Sequence, residues 1–356
     1  MNRNTERLQT ALLPVAAVLV AFVAGAVVLA LDGRSPVQAG IALWKGSVAS
    51  PEALGSTLEK ATPLVLAGLA VIVALRAGLF NIGAQGQLLL GSIMSAYVGY
   101  RLGGLPAALH IPIGLAVGVA FGAVPALVVG VLKAYRGVHE VIVTIMLNTI
   151  LVNLTDWLAG GPWIEPGQAI SRTAPIEDSA RIGRIAELPV GFLLAVVMVF
   201  VVGFLLSRTT LGFEMATVGA NRHAAEYAGI SVRRVTLVAM AISGGLAGLG
   251  GAIETQGVVG RFEPGFNRGL GFDGITIALL AKVSPRGAIA AALLIGALRA
   301  SSTELQSRAQ VAPEIVDVVL ALALLLVAAP MIIRWALRLR TASGVEELNL
   351  TSGWGS

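Results

Sequence analysis

Cysteine is absent from the sequence. That excludes a disulfide framework, a thiolate metal site and a cysteine nucleophile. Charge is scarce as well: 13% of residues are charged, about half the share expected of a soluble domain. A water-soluble chain with so little charge would expose wide apolar patches and aggregate. Histidine occurs only as His110, His139 and His223, which are too scattered to suggest a metal cluster. A GxxxxGK(S/T) phosphate loop is missing, and so are HExxH and GxSxG. No file of charged residues runs through successive apolar segments, as a proton pump would need.

What the chain does contain is apolar. Hydrophobic residues make up 56% and the mean hydropathy is +0.83. A lipid bilayer is the solvent that requires such an exterior. The formal net charge of +5 comes without any basic run interleaved with aromatics, so no nucleic-acid partner is expected. The excess is read as loop charge on the cytoplasmic face.

A spanning helix needs about 20 mostly apolar residues. Ala11–Leu31 meets that length and lacks a following AxA site, so it is read as an uncleaved first helix. Apolar segments follow at 58–75, 79–100, 107–132, 138–158, 188–206, 235–253, 270–283, 288–301 and 315–333. The expected fold is therefore an all-α polytopic membrane protein of about ten transmembrane helices. The second, eighth and ninth segments carry Pro63 or are short and glycine-containing, and are expected to be tilted, broken or re-entrant. Alternating the segments from an internal N-terminus puts Arg76, Lys133, Arg136, Arg208, Arg233 and Arg234 on the cytoplasmic side, with both termini.

This gives a cytoplasmic segment at 1–10, one transmembrane domain at 11–340 and a cytoplasmic tail at 341–356. Residues 159–187 form an extracytoplasmic loop, a lid or docking surface. Residues 207–234 form the longest cytoplasmic connection and read as two short helices punctuated by Gly219 and Gly229. Gly244 and Gly248 sit four apart in an apolar helix; close helix packing is the main reading and a gating hinge the other.

Three stretches concentrate polar groups. Leu79–Gln87 (LFNIGAQGQ) places Asn81, Gln85 and Gln87 at the start of an apolar helix. Buried amides are costly unless hydrogen-bonded, so they either line a pathway or cap the helix and tie it to its neighbours. In the second stretch Glu140, Thr144 and Asn148 fall at i, i+4 and i+8 on one face, continued roughly by Thr155, while Asn153 and Asp156 make a second polar edge. A polar stripe faces the bundle interior, where it either lines a route for a hydroxylated solute or bonds helices together. In the third, Asp273 is expected to cap a helix; Glu254, at the outer end of the seventh helix, is expected to sit at the membrane interface, the alternative being contact with a partner or substrate.

At these residues a family resemblance enters. Leu79–Gln87, Glu140–Asn148 (EVIVTIMLN) and Gly219–Ile230 (GANRHAAEYAGI) resemble the permeases of bacterial ABC importers for nucleosides and simple sugars, relatives of the ribose and branched-chain amino acid permeases. The resemblance covers residues 58 to 330. The chain departs from it at Ala84-Gln85, where the family form has an acid before Gly86.

The resemblance implies a subunit of the bacterial plasma (inner) membrane that pairs with a second related permease, as a heterodimer. A cytoplasmic ABC ATPase would use ATP and Mg, with no cofactor on this chain and no reaction catalysed by it. An extracytoplasmic binding protein would deliver the solute. Gly219, Asn221, Ala224, Ala225 and Gly229 would mark the helix that couples to the ATPase. Asn81, Gln85, Gln87, Thr144 and Asn148 are expected beside the solute pathway, which opens by alternating access. The alternatives are an ion-coupled secondary transporter or channel, a lipid-acting membrane enzyme and a non-transporting scaffold subunit.

Overall fold

A computed structural model describes residues 19–265, 269–310, 318, 321 and 322. The expected tail, the N-terminal segment and the apolar segment at 315–333, apart from those three residues, lie outside them. The described residues are mostly helical, with one two-stranded hairpin, β1 (Arg184–Ile185) with β2 (Leu188–Pro189). Six of their helices are long and apolar enough to cross a membrane.

The chain divides into two units. One comprises residues 1–44 and 301–356. Its described part holds α1 (Leu19–Leu31), most of α2 (Pro36–Ser47) and α13 (Ser302–Ala309). Within it Arg34 donates from Nη1 to Gln310 Oε1 (2.9 Å). Neither α2 nor α13 stands among the apolar segments expected from the sequence: Gln38 and Lys45 interrupt α2, and α13 is mostly polar.

The other unit, 45–300, carries the motifs. Its centre is α3 (Pro51–Arg76), in which every residue from Ala61 to Ala74 is buried. A helix apolar on all sides belongs at the core. This segment, with Pro63, was expected to be tilted, broken or re-entrant; Pro63 lies inside one continuous helix. Thr62 donates its hydroxyl to Leu58 O (2.7 Å) nearby. Neighbouring helices can meet the backbone carbonyl that a proline leaves unpaired.

Against α3 lie α10 (Val232–Glu254), α11 (Leu270–Leu280) and α12 (Pro285–Ala300). α10 also packs on α4 (Ala84–Arg101) and α5 (Ala107–Arg136). Around them stand α6 (Glu140–Gly160) and α7 (Val190–Arg208), each buried on one face only. α11 has 11 residues, about 16 Å, too short to cross by itself.

Glycine sets the tightest approach. A Cβ on Gly248 would lie 2.2 Å from Gly118 O and 2.8 Å from Gly122 Cα; one on Gly91 would lie 2.5 Å from Gly248 Cα. Gly244 meets Gly122 O at 2.5 Å in the same way. Three backbones therefore touch at Gly248, and the Gly244/Gly248 pair is a packing device.

At one end of α7 the connection 161–189 is an ordered cap. Trp163 lies against Tyr97, with ring centroids 4.5 Å apart. Glu165 accepts from Arg172 (2.7 Å) and Arg261 (2.9 Å). Thr173 and Phe262 exchange two hydrogen bonds, each 3.0 Å, and Ile176 and Ile182 donate to Gly260 O and Gln256 O. At the other end of α7 are two short helices, α8 (Thr210–Ala220) and α9 (Arg222–Tyr227), as the glycine punctuation suggested.

Candidate functional site

α3 stops at Arg76, and Gly78, at φ +68°, turns the chain so that residues up to Gly83 run without regular helix before α4. This turn buries Asn81. Its Nδ2 donates to Gln87 Oε1 and to Ser243 Oγ, both at 2.8 Å. Its Oδ1 accepts from Gln87 Nε2 and Gly83 N, both at 3.1 Å. Those four bonds use an asparagine's whole capacity. Ser243 passes the link on, donating to Ala70 O in α3 (2.6 Å). One side chain thereby joins α3, α4 and α10.

The other expected residues stand around the same helix start. Gln85 Oε1 accepts from Gly271 N of α11 (2.7 Å), and a Cβ on Gly271 would meet Gln85 N at 2.2 Å. Asn148 Oδ1 accepts from Gly86 N (2.5 Å). Thr144 donates to Val141 O in its own helix (3.0 Å), and its Cβ lies 3.3 Å from where a Cβ on Gly83 would stand. The structure thus gathers Asn81, Gln85, Gln87, Thr144 and Asn148 at the base of α4, all buried. Asn81 and Gln87 bond each other, while Gln85 turns to α11 and Asn148 to the α4 backbone. Glu140, Thr144, Asn148 and Thr155 share the buried face of α6, whereas Asn153 is exposed.

Ion pairs brace the periphery. Lys133 Nζ, near the end of α5, meets Glu140 Oε2 at 2.8 Å across the α5–α6 turn. Asp273, expected as a cap, pairs instead with Arg299 of α12; Gly269 holds the cap position of α11. A carboxylate four residues into a helix points sideways, within reach of a neighbouring guanidinium. Glu254, expected at the interface, is only 3% exposed, because α10 continues beyond it as a π-helical turn, Thr255–Val259.

The second part of the site is the α8–α9 elbow. Asn221 caps α9 by accepting from Ala224 N (3.0 Å), and Gly229, at φ +78°, ends it. Ala225 is buried, while Asn221, Ala224 and Gly229 are exposed. Gly219 is not a free surface. A Cβ there would lie 2.5 Å from Arg76 O and 2.9 Å from Gly78 N. α8 is seated on the turn that carries Asn81, which joins the two halves of the site mechanically.

Sequence reasoning passed over Tyr227, which is 94% exposed at the end of α9. A bulky aromatic among small and charged residues in that loop was the available signal.

The family described as "Branched-chain amino acid transport system / permease component" matches residues 53–329. Three curated relatives are similar along most of their length. The guanosine ABC transporter permease protein NupP of Bacillus subtilis (strain 168) is 37% identical over 344 residues, covering 93% of this chain and 97% of its own. The nucleoside ABC transporter permease protein NupB of Lactococcus lactis subsp. cremoris (strain MG1363) is 32% identical, covering 94% of each. The glucose ABC transporter permease protein TsgB13 of Haloferax volcanii is 33% identical over 88% of this chain and 85% of its own.

Proposed function

The chain belongs to the family of branched-chain amino acid transport system permease components, and we propose that it is the multi-pass permease subunit of an importer for nucleosides or related simple sugars. Its similarity to permeases named for guanosine, nucleosides and glucose supports that solute class. The observation that carries the mechanism is the seating of Gly219 on the Arg76–Gly78 turn. A push on α9 reaches α8, then that turn, then the Asn81 network and the helices it joins.

In this reading a separate cytoplasmic ATPase, using ATP and Mg, docks on the exposed Asn221, Ala224, Gly229 and Tyr227, with the buried Ala225 seating the helix that carries them. Its closure tilts the helices between states open to one side and to the other. Both termini are cytoplasmic, about ten helices cross the plasma membrane, and a second, related permease completes the pathway. An extracytoplasmic binding protein docks on the 161–189 cap. Asn81, Gln85, Gln87, Thr144 and Asn148 border the pathway as the joint around which helices turn. The solute leaves chemically unchanged.

The test is uptake of radiolabelled guanosine by cells with and without this chain. ATP-dependent uptake that disappears on deletion and returns with the gene is expected. Uptake that survives ATP depletion and collapses with the ion gradient overturns the reading.

A further inference from the structure

Along the seam where α4, α5 and α10 meet, the contacts change in character toward the 161–189 cap. At Gly248 the backbones touch through glycine, and one turn further along α10 a Cβ on Gly118 would lie 2.5 Å from Ala252 Cβ. The next turn is polar. Ser92 and Thr255, both fully buried, share a hydrogen bond of 2.6 Å. Beside them Gln256 of the π-helical turn and Ser95 of α4 flank Gly114 of α5. A Cβ on Gly114 would stand 2.0 Å from Gln256 Nε2 and 3.4 Å from Ser95 Oγ.

Gln256 is 2% exposed, and among the described residues neither its Nε2 nor its Oε1 finds a hydrogen-bond partner. Ser95 Oγ, buried as well, finds none either. Such groups are rare in a packed interior, because each gives up its bonds to water without replacement. A seam that only held helices together would be served by a small apolar residue here, as Ala252 serves it one turn before.

The backbone is unusual at the same point. Thr255–Val259 is a π-helical turn, a rare form found most often at functional sites. Gly260, at φ +74°, closes it. The cap is fastened there: Ile182 donates to Gln256 O (2.9 Å) and Ile176 to Gly260 O (2.8 Å). Parting α5 from this turn therefore breaks no side-chain hydrogen bond of Gln256 or Ser95, and it frees an amide and a hydroxyl next to the cap.

A carboxamide presents a donor and an acceptor side by side, and a hydroxyl adds one of each. That set complements a neutral group with the same pairing reversed: the amide edge of a purine base, or two adjacent ribose hydroxyls. We propose that Gln256 and Ser95 form a subsite that takes such a group of the solute when α5 and the π-helical turn part. The nature of the solute rests on the importer reading. The subsite itself rests on the unpartnered groups, the π-helical turn and its fastening to the cap.

The absence of cysteine lets one introduced thiol report on the site. Gly257 is half-buried beside Gln256, and a Cβ there would lie 3.8 Å from Ile182 Cβ, an ordinary contact, so G257C should fold. Right-side-out vesicles of native membranes carrying the G257C complex are treated with a small cationic methanethiosulfonate, with and without millimolar inosine. Inosine should slow the modification at least tenfold. Purine riboside lacks the amide edge and 2′-deoxyinosine lacks the paired hydroxyls; the one that fails to protect identifies the group held. In the G257C chain, Q256M should abolish the protection and S95A weaken it. The thiol should stay reactive in both, since neither substitution removes an existing bond. Protection that survives both substitutions, protection equal for all three nucleosides, or a thiol that inosine never shields overturns the subsite. Uptake of radiolabelled inosine by the parent cells reads the importer reading apart: uptake without protection removes the subsite alone, and protection without uptake removes the importer reading alone.

Discussion

Replacing Asn81 with alanine removes four hydrogen bonds at once. Two join it to Gln87, one to Ser243 and one to the Gly83 N–H. Polar contacts within membrane proteins contribute about 0.6 kcal/mol each on average. Four such bonds give about 2.4 kcal/mol. Gln87 is also buried and loses both partners, and an orphaned buried polar group costs about 1–3 kcal/mol. Ser243 keeps its bond to Ala70 O and adds little. The expected loss is therefore about 3–5 kcal/mol. Reversible unfolding of the purified chain in mixed micelles measures it. The double variant N81A/Q87A supplies the control, because it removes the orphan along with its partner. It should be no less stable than N81A, a coupling of about 1–2 kcal/mol. An N81A chain as stable as the parent, or two losses that simply add, refutes the network as drawn.

Gly248→Leu should abolish a monodisperse chain, since even its Cβ would stand 2.2 Å from Gly118 O and overpacking costs about 1–3 kcal/mol before the rest of the side chain is placed. Gly203→Ala, with nothing within 4 Å, should be neutral by the same size-exclusion assay. Tyr227→Ala should leave expression and unfolding unchanged, because the ring touches little of its own chain, yet lower ATP-driven uptake about tenfold, the equivalent of about 1.4 kcal/mol at an interface. Glu165→Gln should weaken the bonds to Arg172 and Arg261 and speed limited proteolysis of 161–189 several-fold, a modest effect because the carboxylate is partly exposed.

The long apolar runs were readable because lipid imposes length and composition together. α3, α5, α6, α7 and α10 fall close to the runs that predict them. α2 and α13 escaped for the opposite reason: Gln38 and Lys45 interrupt the apolar residues of α2, and α13 is mostly polar. Pro63 misled because a proline says nothing about what surrounds it, and here protein does on every side. The amide-rich start of α4 was visible as a polar cluster. That Asn81 would use all four of its bonds inside the chain was not, since Ser243 lies 162 residues away. Asp273 found Arg299 for a similar reason: residue type suggested a cap, and tertiary neighbours decided otherwise. The α8–α9 loop was legible from its glycines, but not that Gly219 would be spent on the Arg76–Gly78 turn and leave the exposed tip to Tyr227.

The most direct measurement is a mild-detergent pull-down of the tagged chain from its native membranes, with quantitative mass spectrometry of what accompanies it. A permease subunit predicts an ABC ATPase and a second permease in near-stoichiometric yield, the ATPase alone being lost when Gly219–Ile230 is replaced by a flexible linker of equal length. A folded, monodisperse chain recovered without any ATPase contradicts the importer mechanism.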